Sequence, residues 1–509
     1  MNTFLNGLAN ANNFTFTENG AVTHKSTMNA LLDMFAMGAA YRKRSDEDCI
    51  LLFRNAFAEN PVYALKCLFY IRDVRGGQGE RRFFRVCMRD LASWNTEAAR
   101  RNLRHVPEFG RWDDLYIFVG TPLETDALQF MKEQFALDIT CKIPSLLGKW
   151  LKSENASSYQ TKVLARKTAS AFGMTPKQYR KSLSSLRQKI NVLERLMSAG
   201  KWDEIEFDKI PSKAGLKYKN AFAKHDIERM KSEKNVVSYE DFAKDTNTKV
   251  NAKTLCPYEV VEKGLKTMGC NGWYWNNSGV PMDNTDRLMV NKYWDNLADY
   301  FNGANFNALA VVDTSASMRG TPLNVAISLG LYCAEKAKGP FAGHYVSFSS
   351  RPQLIKTEGV DFCDKIVRIY ETNLCQNTNI EATFDMLLNT AIANRCSQDD
   401  LPQNLIVISD MEFDAGTGNC YYGRVRSFNP TTLMESIRQK WAAHGYVIPH
   451  LIYWNVDARQ NNIPDDIGCG LVSYVSGFSP SIFQTIMSGK TGLDLCLEKL
   501  NSERYSVIQ

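Results

Sequence analysis

The spacing of apolar residues changes once along this chain, near residue 306, and that change dictates the architecture. Upstream, the segments Thr27–Met37, Glu47–Glu59, Pro61–Asp73, Arg81–Trp94, Thr125–Phe135 and Pro176–Ser198 carry apolar residues at i, i+3 and i+4, with short polar links between them. Each such segment buries one stripe of a helix. No alternating strand pattern interrupts residues 26–240, so this region reads as all-α, a ring or solenoid of stacked short helices. A fixed repeat period is not visible. Downstream, apolar strands at 308–313, 344–349, 405–410, 447–456 and 470–476 alternate with helices at 321–337, 361–371, 380–395, 430–443 and 479–488. That alternation predicts a doubly wound, Rossmann-like α/β unit around a mostly parallel sheet. The expected division is an N-terminal arm (1–25), a helical domain (26–265), a connector (266–305) and the α/β domain (306–509).

A chain of 509 residues is too long for one core. Its net charge of +6 hides an asymmetry: residues 1–270 hold 43 Lys and Arg against 31 Asp and Glu, and residues 271–509 hold 18 against 24. A polyanion is therefore expected on the first half, although solvated helix faces give the same excess. Met1–Gly7 has neither a basic nor an apolar leader pattern, and no apolar run is long enough to span a bilayer. The 13 cysteines are scattered, without CxxC pairs or histidines at zinc-finger spacing. They read as reduced thiols in a cytoplasmic protein with no membrane contact.

Three loops carry metal chemistry. Ala308–Asp313 is an apolar strand ending in an acid, followed by Ser315 and Ser317 at spacing two. Cys375–Ile380 is a polar loop feeding a helix, with Thr378 in it, and Leu405–Asp410 is a second apolar strand ending in an acid. Alone, each piece is also a helix cap or turn. In this order on alternating strands and helices they place oxygen donors beyond the carboxyl ends of the strands, and hard cations such as Mg²⁺ take oxygen ligands. The three loops resemble the metal-ion-dependent adhesion site (MIDAS) of von Willebrand factor A domains. The resemblance implies that Ser315, Ser317 and Thr378 bind Mg²⁺ through their hydroxyls, and that Asp313 and Asp410 act through waters or hold the serines. A protein partner would then supply an acidic ligand. The second loop reads Gln376-Asn377-Thr378 in place of the usual Gly-Gly-Thr.

Longer strings link the first half to another family. Arg72-Asp-Val-Arg75-Gly-Gly-Gln-Gly79-Glu-Arg81-Arg82, Phe109-Gly-Arg-Trp-Asp-Asp114, Ser145–Asn155, Ile210–Ala214 and His225-Asp226 resemble the Ro/TROVE-related proteins. The closest likeness is to the branch of plants, fungi, bacteria and phages that joins a helical region to a C-terminal von Willebrand A domain. This resemblance implies a HEAT-like helical ring, monomeric because one chain closes it, that binds small or misfolded non-coding RNA as a ribonucleoprotein. RNA binding of that kind needs a dense basic surface. Lys162, Arg166, Lys167, Lys177, Arg180, Lys181 and Arg187 form a candidate stripe, with Lys177, Arg180 and Lys181 on one helix face. Arg75, Arg81 and Arg82 are candidate phosphate contacts at a helix start. The stripe is equally a solvated face on charge alone.

Other features carry less. Arg75–Gly79 lacks the Gly-Lys-Ser/Thr ending of a phosphate loop and follows a helix, so its glycines are read as a tight interhelical turn. The aromatics of Cys270–Thr285 suit either base stacking or a domain interface, and the interface is favoured. His225 and Asp226 read as a buried structural pair. The six histidines are unclustered, and neither a nucleophile elbow nor a nuclease carboxylate cluster is visible, so no enzyme is expected. The two remaining readings are an RNA-binding scaffold with a Mg²⁺-dependent docking site, and a Mg²⁺-dependent protein-interaction scaffold without RNA.

Overall fold

Ala308–Asp313 (β3) is buried at every position, which is what a central strand covered on both faces demands. The computed structural model describes residues 13–231, 236–271, 274–275, 284–348, 351–372, 377–415, 432–465 and 471–509. Around β3 stand His344–Phe348 (β4), Gln353–Lys356 (β5), Asn404–Ser409 (β6), His450–Asn455 (β7) and Val472–Ser476 (β8), in the order β8-β7-β6-β3-β4-β5. All pairings are parallel except β4 with β5. After β3 the chain goes first to β4 on one side and later to β6 on the other. The sheet therefore has a switch point between β3 and β6, where ligands of open α/β sheets collect. The register aligns Val312 with Ile408, so Asp313 and Asp410 both emerge at that crevice.

Before the sheet lies the predicted helical half. Its helices include Ala30–Met37 (α1), Asp46–Glu59 (α2), Pro61–Arg72 (α3), Arg82–Trp94 (α4), Glu124–Thr140 (α5), Tyr159–Ala171 (α6), Pro176–Lys189 (α7), Ser212–Lys224 (α8), Pro257–Thr267 (α9) and Asn284–Asp295 (α10). Local chemistry starts them. Ser45 caps α2, Asn60 caps α3 with Pro61 in its first turn, and Thr175 and Gln178 form a capping box on α7. The single helix expected over Pro176–Ser198 is two. Asn191 adopts φ 47°, a left-handed conformation that ends α7, and a second helix runs Leu193–Ser198.

The two halves meet in several places. α1 lies against β8 and against the C-terminal helix Gly492–Leu500, with Ser476 Oγ donating to Phe35 O at 3.2 Å. α9 packs on Thr321–Lys336 (α11), and α10 on Phe362–Thr372 (α12). There Arg287 grips Asp361 with two bonds of 2.7 Å, and Trp294 stacks on Phe362 at 4.2 Å. The chain end returns to the helices through Arg504 and Tyr505, both on Asp73.

Gly76, Gly77 and Gly79 form the expected turn between α3 and α4. Gly79 has φ 71°, and a Cβ at Gly77 would stand 2.0 Å from Tyr70 O. Ser481 Oγ donates to Gly77 O at 2.9 Å, so this turn also touches the α/β half. The N-terminal arm holds an element no pattern announced: Phe14–Phe16 (β1) and Val22–His24 (β2) pair as a hairpin. The aromatics Trp273 and Cys375 with Gln376 of the second metal loop lie outside the described residues, as do the side chains of Tyr274 and Trp275. The ten described cysteines are free, and seven are buried. No described helix is long and apolar enough to cross a membrane.

Candidate metal centre

Each loop of the centre is set by the end of a regular element. β3 ends at Asp313, whose Oδ1 accepts from Ser315 N at 2.9 Å and turns the chain back on itself. That turn brings Ser315 Oγ and Ser317 Oγ to 2.9 Å from each other. β6 ends at Ser409, whose hydroxyl donates to Asp313 Oδ2 at 2.6 Å and accepts from Met411 N at 2.9 Å. The next residue, Asp410, accepts from Glu412 N at 3.2 Å and is also hydrogen-bonded by Ser317. Met411 takes φ 65°, a rare conformation for a side chain of its size and a mark of a constrained loop. Thr378 precedes Ile380–Ala393 (α13), capped by Asn379, and is tied to the β6 loop by Thr378 N to Asp414 Oδ2 at 3.0 Å and Asp414 N to Thr378 O at 2.9 Å. All five predicted metal residues thus gather at the switch point.

The oxygens suit Mg²⁺. Adjacent ligands of an octahedral Mg²⁺ stand about 3 Å apart, given bonds of about 2.1 Å. The two serine hydroxyls already have that spacing. Among the described residues, Thr378 Oγ1 receives only a long 3.5 Å contact from Asn19 Nδ2. Among the described residues no set of three or more Asp, Glu, His or Cys is arranged to hold a metal.

Electrostatics point the same way. Asp313, Asp410 and Glu412 are buried, and Glu18 stands at the rim. The guanidinium of Arg459 bridges two of these four, at 2.9 Å from Asp410 Oδ2 and 2.6 Å from Glu18 Oε2. Lys43 is engaged by Asp457 at 2.6 Å. Burial raises the carboxyl pKa values of Asp313 and Asp410, with their mutual repulsion adding to Asp313 and Arg459 opposing the rise at Asp410. Burial also pushes Glu412 up to about 7. Protonation is one way to settle such an excess of negative charge, and a divalent cation is the other.

Four participants escaped the sequence reading: Glu18, Asn19, Glu412 and Arg459. Glu412 follows Asp410 by two residues and was open to notice. Glu18, Asn19 and Arg459 reach the site only through the tertiary fold.

The candidate RNA contacts separate into two groups. Arg166, Lys177 and Lys181 are exposed and bond no carboxylate among the described residues, and Lys162 is half-buried. Lys167 pairs with Glu124 at 2.7 Å and Arg180 with Glu154 at 2.8 Å. Arg187 does not extend the exposed stripe. Half-buried, it donates to Gly148 O, Leu151 O and Ser153 Oγ, satisfying the end of a short helix. Arg82 bonds Asp46, Arg75 donates to Glu108 O at 2.8 Å, and Arg81 is exposed. His225 and Asp226 are not a pair. His225 stacks on Trp202 at 4.1 Å and meets Glu228 at 2.9 Å, while Asp226 accepts from Tyr239 N.

Comparison with known proteins divides the chain where the fold does. Residues 307–505 match a family described as "Domain of unknown function (DUF7788)". Residues 17–142 and 134–301 match "Domain of unknown function (DUF2828)". A protein of Acanthamoeba polyphaga mimivirus, "Uncharacterized protein L728", is 29% identical over 518 residues, covering 94% of this chain and 85% of the viral one. The break between the two family matches falls at the start of β3, and the first match begins inside the hairpin that reaches the metal loops. With more than half of its length matched by one family model, the chain belongs to the DUF2828 family.

Proposed function

We propose that this protein is a non-enzymatic, Ro-like cytoplasmic scaffold whose α/β half, of the von Willebrand A type, docks an acidic partner through a divalent cation. One observation carries the reading. Ser315, Ser317, Thr378, Asp313 and Asp410 meet at the switch point of a parallel sheet, in a site with more buried carboxylates than cations. Ser315, Ser317 and Thr378 would hold Mg²⁺, with Asp313 and Asp410 orienting the hydroxyls. The ion supplies a Lewis-acidic position that a partner's carboxylate can fill. Mn²⁺ binding to the full chain, followed by electron paramagnetic resonance, tests this. Wild type is expected to bind Mn²⁺ in competition with Mg²⁺, and Thr378→Ala to bind it at least tenfold more weakly. Equal binding by the two would overturn the assignment.

The helical half is assigned to RNA by the exposed Arg166, Lys177 and Lys181 on neighbouring helices. A monomeric ring is favoured by the course of the chain, which touches the α/β half from α1 to the Gly76–Gly79 turn and again at α9 and α10. Affinity for a single-stranded RNA probe should fall steeply with salt. Lys177→Glu combined with Lys181→Glu should reduce the log–log salt slope by about 2. An unchanged slope would remove these two residues from the interface, and no binding at low salt would leave only the docking function.

A further inference from the structure

The tip of the N-terminal hairpin lies along Met411–Ala415, the loop that leaves the second metal strand. Its contacts are those of a peptide in a groove. Ala415 N donates to Asn19 O at 3.2 Å, and Gly20 and Asp414 form an antiparallel bridge. Glu18 N donates to Glu412 Oε2 at 2.7 Å, Asn19 Nδ2 to Glu412 O at 2.6 Å, and Thr17 Oγ1 to Phe413 O at 2.6 Å. The polar ends of this segment face the metal residues. Asn19 Nδ2 reaches Thr378 Oγ1 at 3.5 Å, and Glu18 is held by the same guanidinium that holds Asp410.

A carboxylate from residue 18 therefore stands one guanidinium away from a predicted metal residue, on the side where a docking partner must present its own acid. The site beneath this cover is incomplete as it stands. Glu412 is fully buried, yet its Oε1 has no hydrogen-bond partner among the described residues. The tip, Thr17–Gly20, is held by these polar contacts and carries no large apolar side chain to anchor it. Backbone pairing of this kind is open to any extended peptide. The Glu18–Arg459 ion pair is more than a quarter exposed on both sides, a setting where such pairs contribute little. The base of the hairpin is fastened separately, through His24 N to Ile463 O at 3.0 Å and Ile463 N to His24 O at 2.9 Å. The tip can lift while the base stays.

We propose that Thr17–Gly20 is a tethered mimic of the docking partner, and that the partner is an acidic extended peptide which displaces it, pairs with Met411–Ala415 and offers its carboxylate to the cation. This rests on the metal-docking reading above. A tethered segment competes at an effective concentration in the millimolar range, so it suppresses weak binders and sets a threshold for strong ones.

The test uses the full chain, wild type and Glu18→Lys, which places like charge beside Arg459 at an exposed position. The probe is a labelled synthetic peptide with the sequence of residues 13–24, titrated with and without Mn²⁺. Hydrogen exchange at the Ala415 amide reports whether the tip has lifted. The expected result is lost protection at Ala415 in Glu18→Lys, with peptide bound at least tenfold more tightly than by wild type and only when Mn²⁺ is present. If Glu18→Lys binds Mn²⁺ but takes the peptide no better than wild type, the cover is not a mimic and the inference falls alone. If neither protein binds Mn²⁺, the parent reading falls and takes the inference with it. If the peptide binds equally with and without Mn²⁺, the carboxylate-to-cation contact is overturned.

Discussion

The two halves of the molecule each bury a knot of charged side chains, and the two knots are built on opposite terms. In the helical half, Asp114 is fully buried and its oxygens meet Arg72 at 2.6 Å and Arg85 at 2.6 Å. Asp113 meets Arg85 at 3.0 Å and Arg111 at 3.1 Å, so all four carboxylate oxygens lie within ion-pair distance of a guanidinium, although Asp113 Oδ1 accepts no hydrogen bond among the described residues. Even Gly110 serves this knot, since a Cβ there would stand 2.4 Å from Asp114 Oδ2. In the α/β half, the hydrogen bonds to Asp313 among the described residues come from the Ser409 and Ser315 side chains and the Ser315 amide, and the serine hydroxyls lean on each other. Glu412 leaves an oxygen without a partner. A buried knot whose charges are matched explains itself as structure. One with surplus negative charge does not, and that surplus is what the proposed cation would balance.

The largest effect expected from this contrast is on the matched knot. Asp114→Ala removes the one carboxylate bonded to the buried Arg72 among the described residues and leaves a guanidinium in the core without that counter-charge. Breaking a buried pair from one side costs about 3–5 kcal/mol. Guanidinium chloride unfolding should show the unfolding free energy falling by that amount, as a lower midpoint at constant slope, with Mn²⁺ affinity of the surviving folded protein unchanged. A loss below about 1 kcal/mol would mean that water or another acid reaches Arg72, and the two knots would differ less than their geometry says.

How much of this was readable beforehand follows from what each element depends on. β3, β6, β7 and β8 are buried at nearly every position, so their residues are largely apolar, and those runs were legible. β5 was not, because Gln353–Lys356 is a short, largely exposed antiparallel edge whose two adjacent apolar residues, Leu354 and Ile355, make no alternating pattern. The break at Asn191 lay hidden in an amphipathic run that continues on both sides. The metal loops could be read because their donors follow strand ends, a local rule. Arg187 was misplaced because spacing on a helix says which residues share a face, and says nothing of which face another segment covers. Glu18 and Glu412 are 394 residues apart, and no local pattern links them.

A third buried titratable group tests whether neutral partners mark a structural site as surely as matched charges do. His450 lies on β7, with Nδ1 3.0 Å from Asn404 Oδ1 and Nε2 2.9 Å from Ser473 Oγ. Burial pulls its pKa down to about 4. The unfolded chain, with an ordinary histidine near 6.5, then binds the proton first as pH falls. Stability from this group is complete above about 6.5 and is lost between there and about 4, by up to about 3 kcal/mol. Urea midpoints at several pH values should slope through this window in wild type and slope less in His450→Gln. Parallel curves would show that His450 is reached by solvent.

The smallest effect has the opposite sign, and so separates the two knots most sharply. Asp313→Asn keeps an acceptor for Ser315 N and gives Ser409 an amide to face, while removing one charge from the crowded site. Because burial and the neighbouring Asp410 hold the Asp313 pKa above its unfolded value, this group destabilises the fold once pH exceeds that raised value. It stops doing so when pH falls toward about 4, where both states hold the proton. The asparagine chain without metal should therefore be more stable than wild type at pH 8, by on the order of 1–2 kcal/mol, and equal to it near pH 4. With saturating Mg²⁺ the order should reverse, because only wild type gains the roughly 3 kcal/mol that ligand at a hundred times its dissociation constant contributes. Thermal unfolding of both proteins, with chelator and with Mg²⁺, reads all four states. If Asp313→Asn is the less stable chain under chelator as well, the carboxylate is structural, and the knot in the α/β half is of the same kind as the one around Asp114.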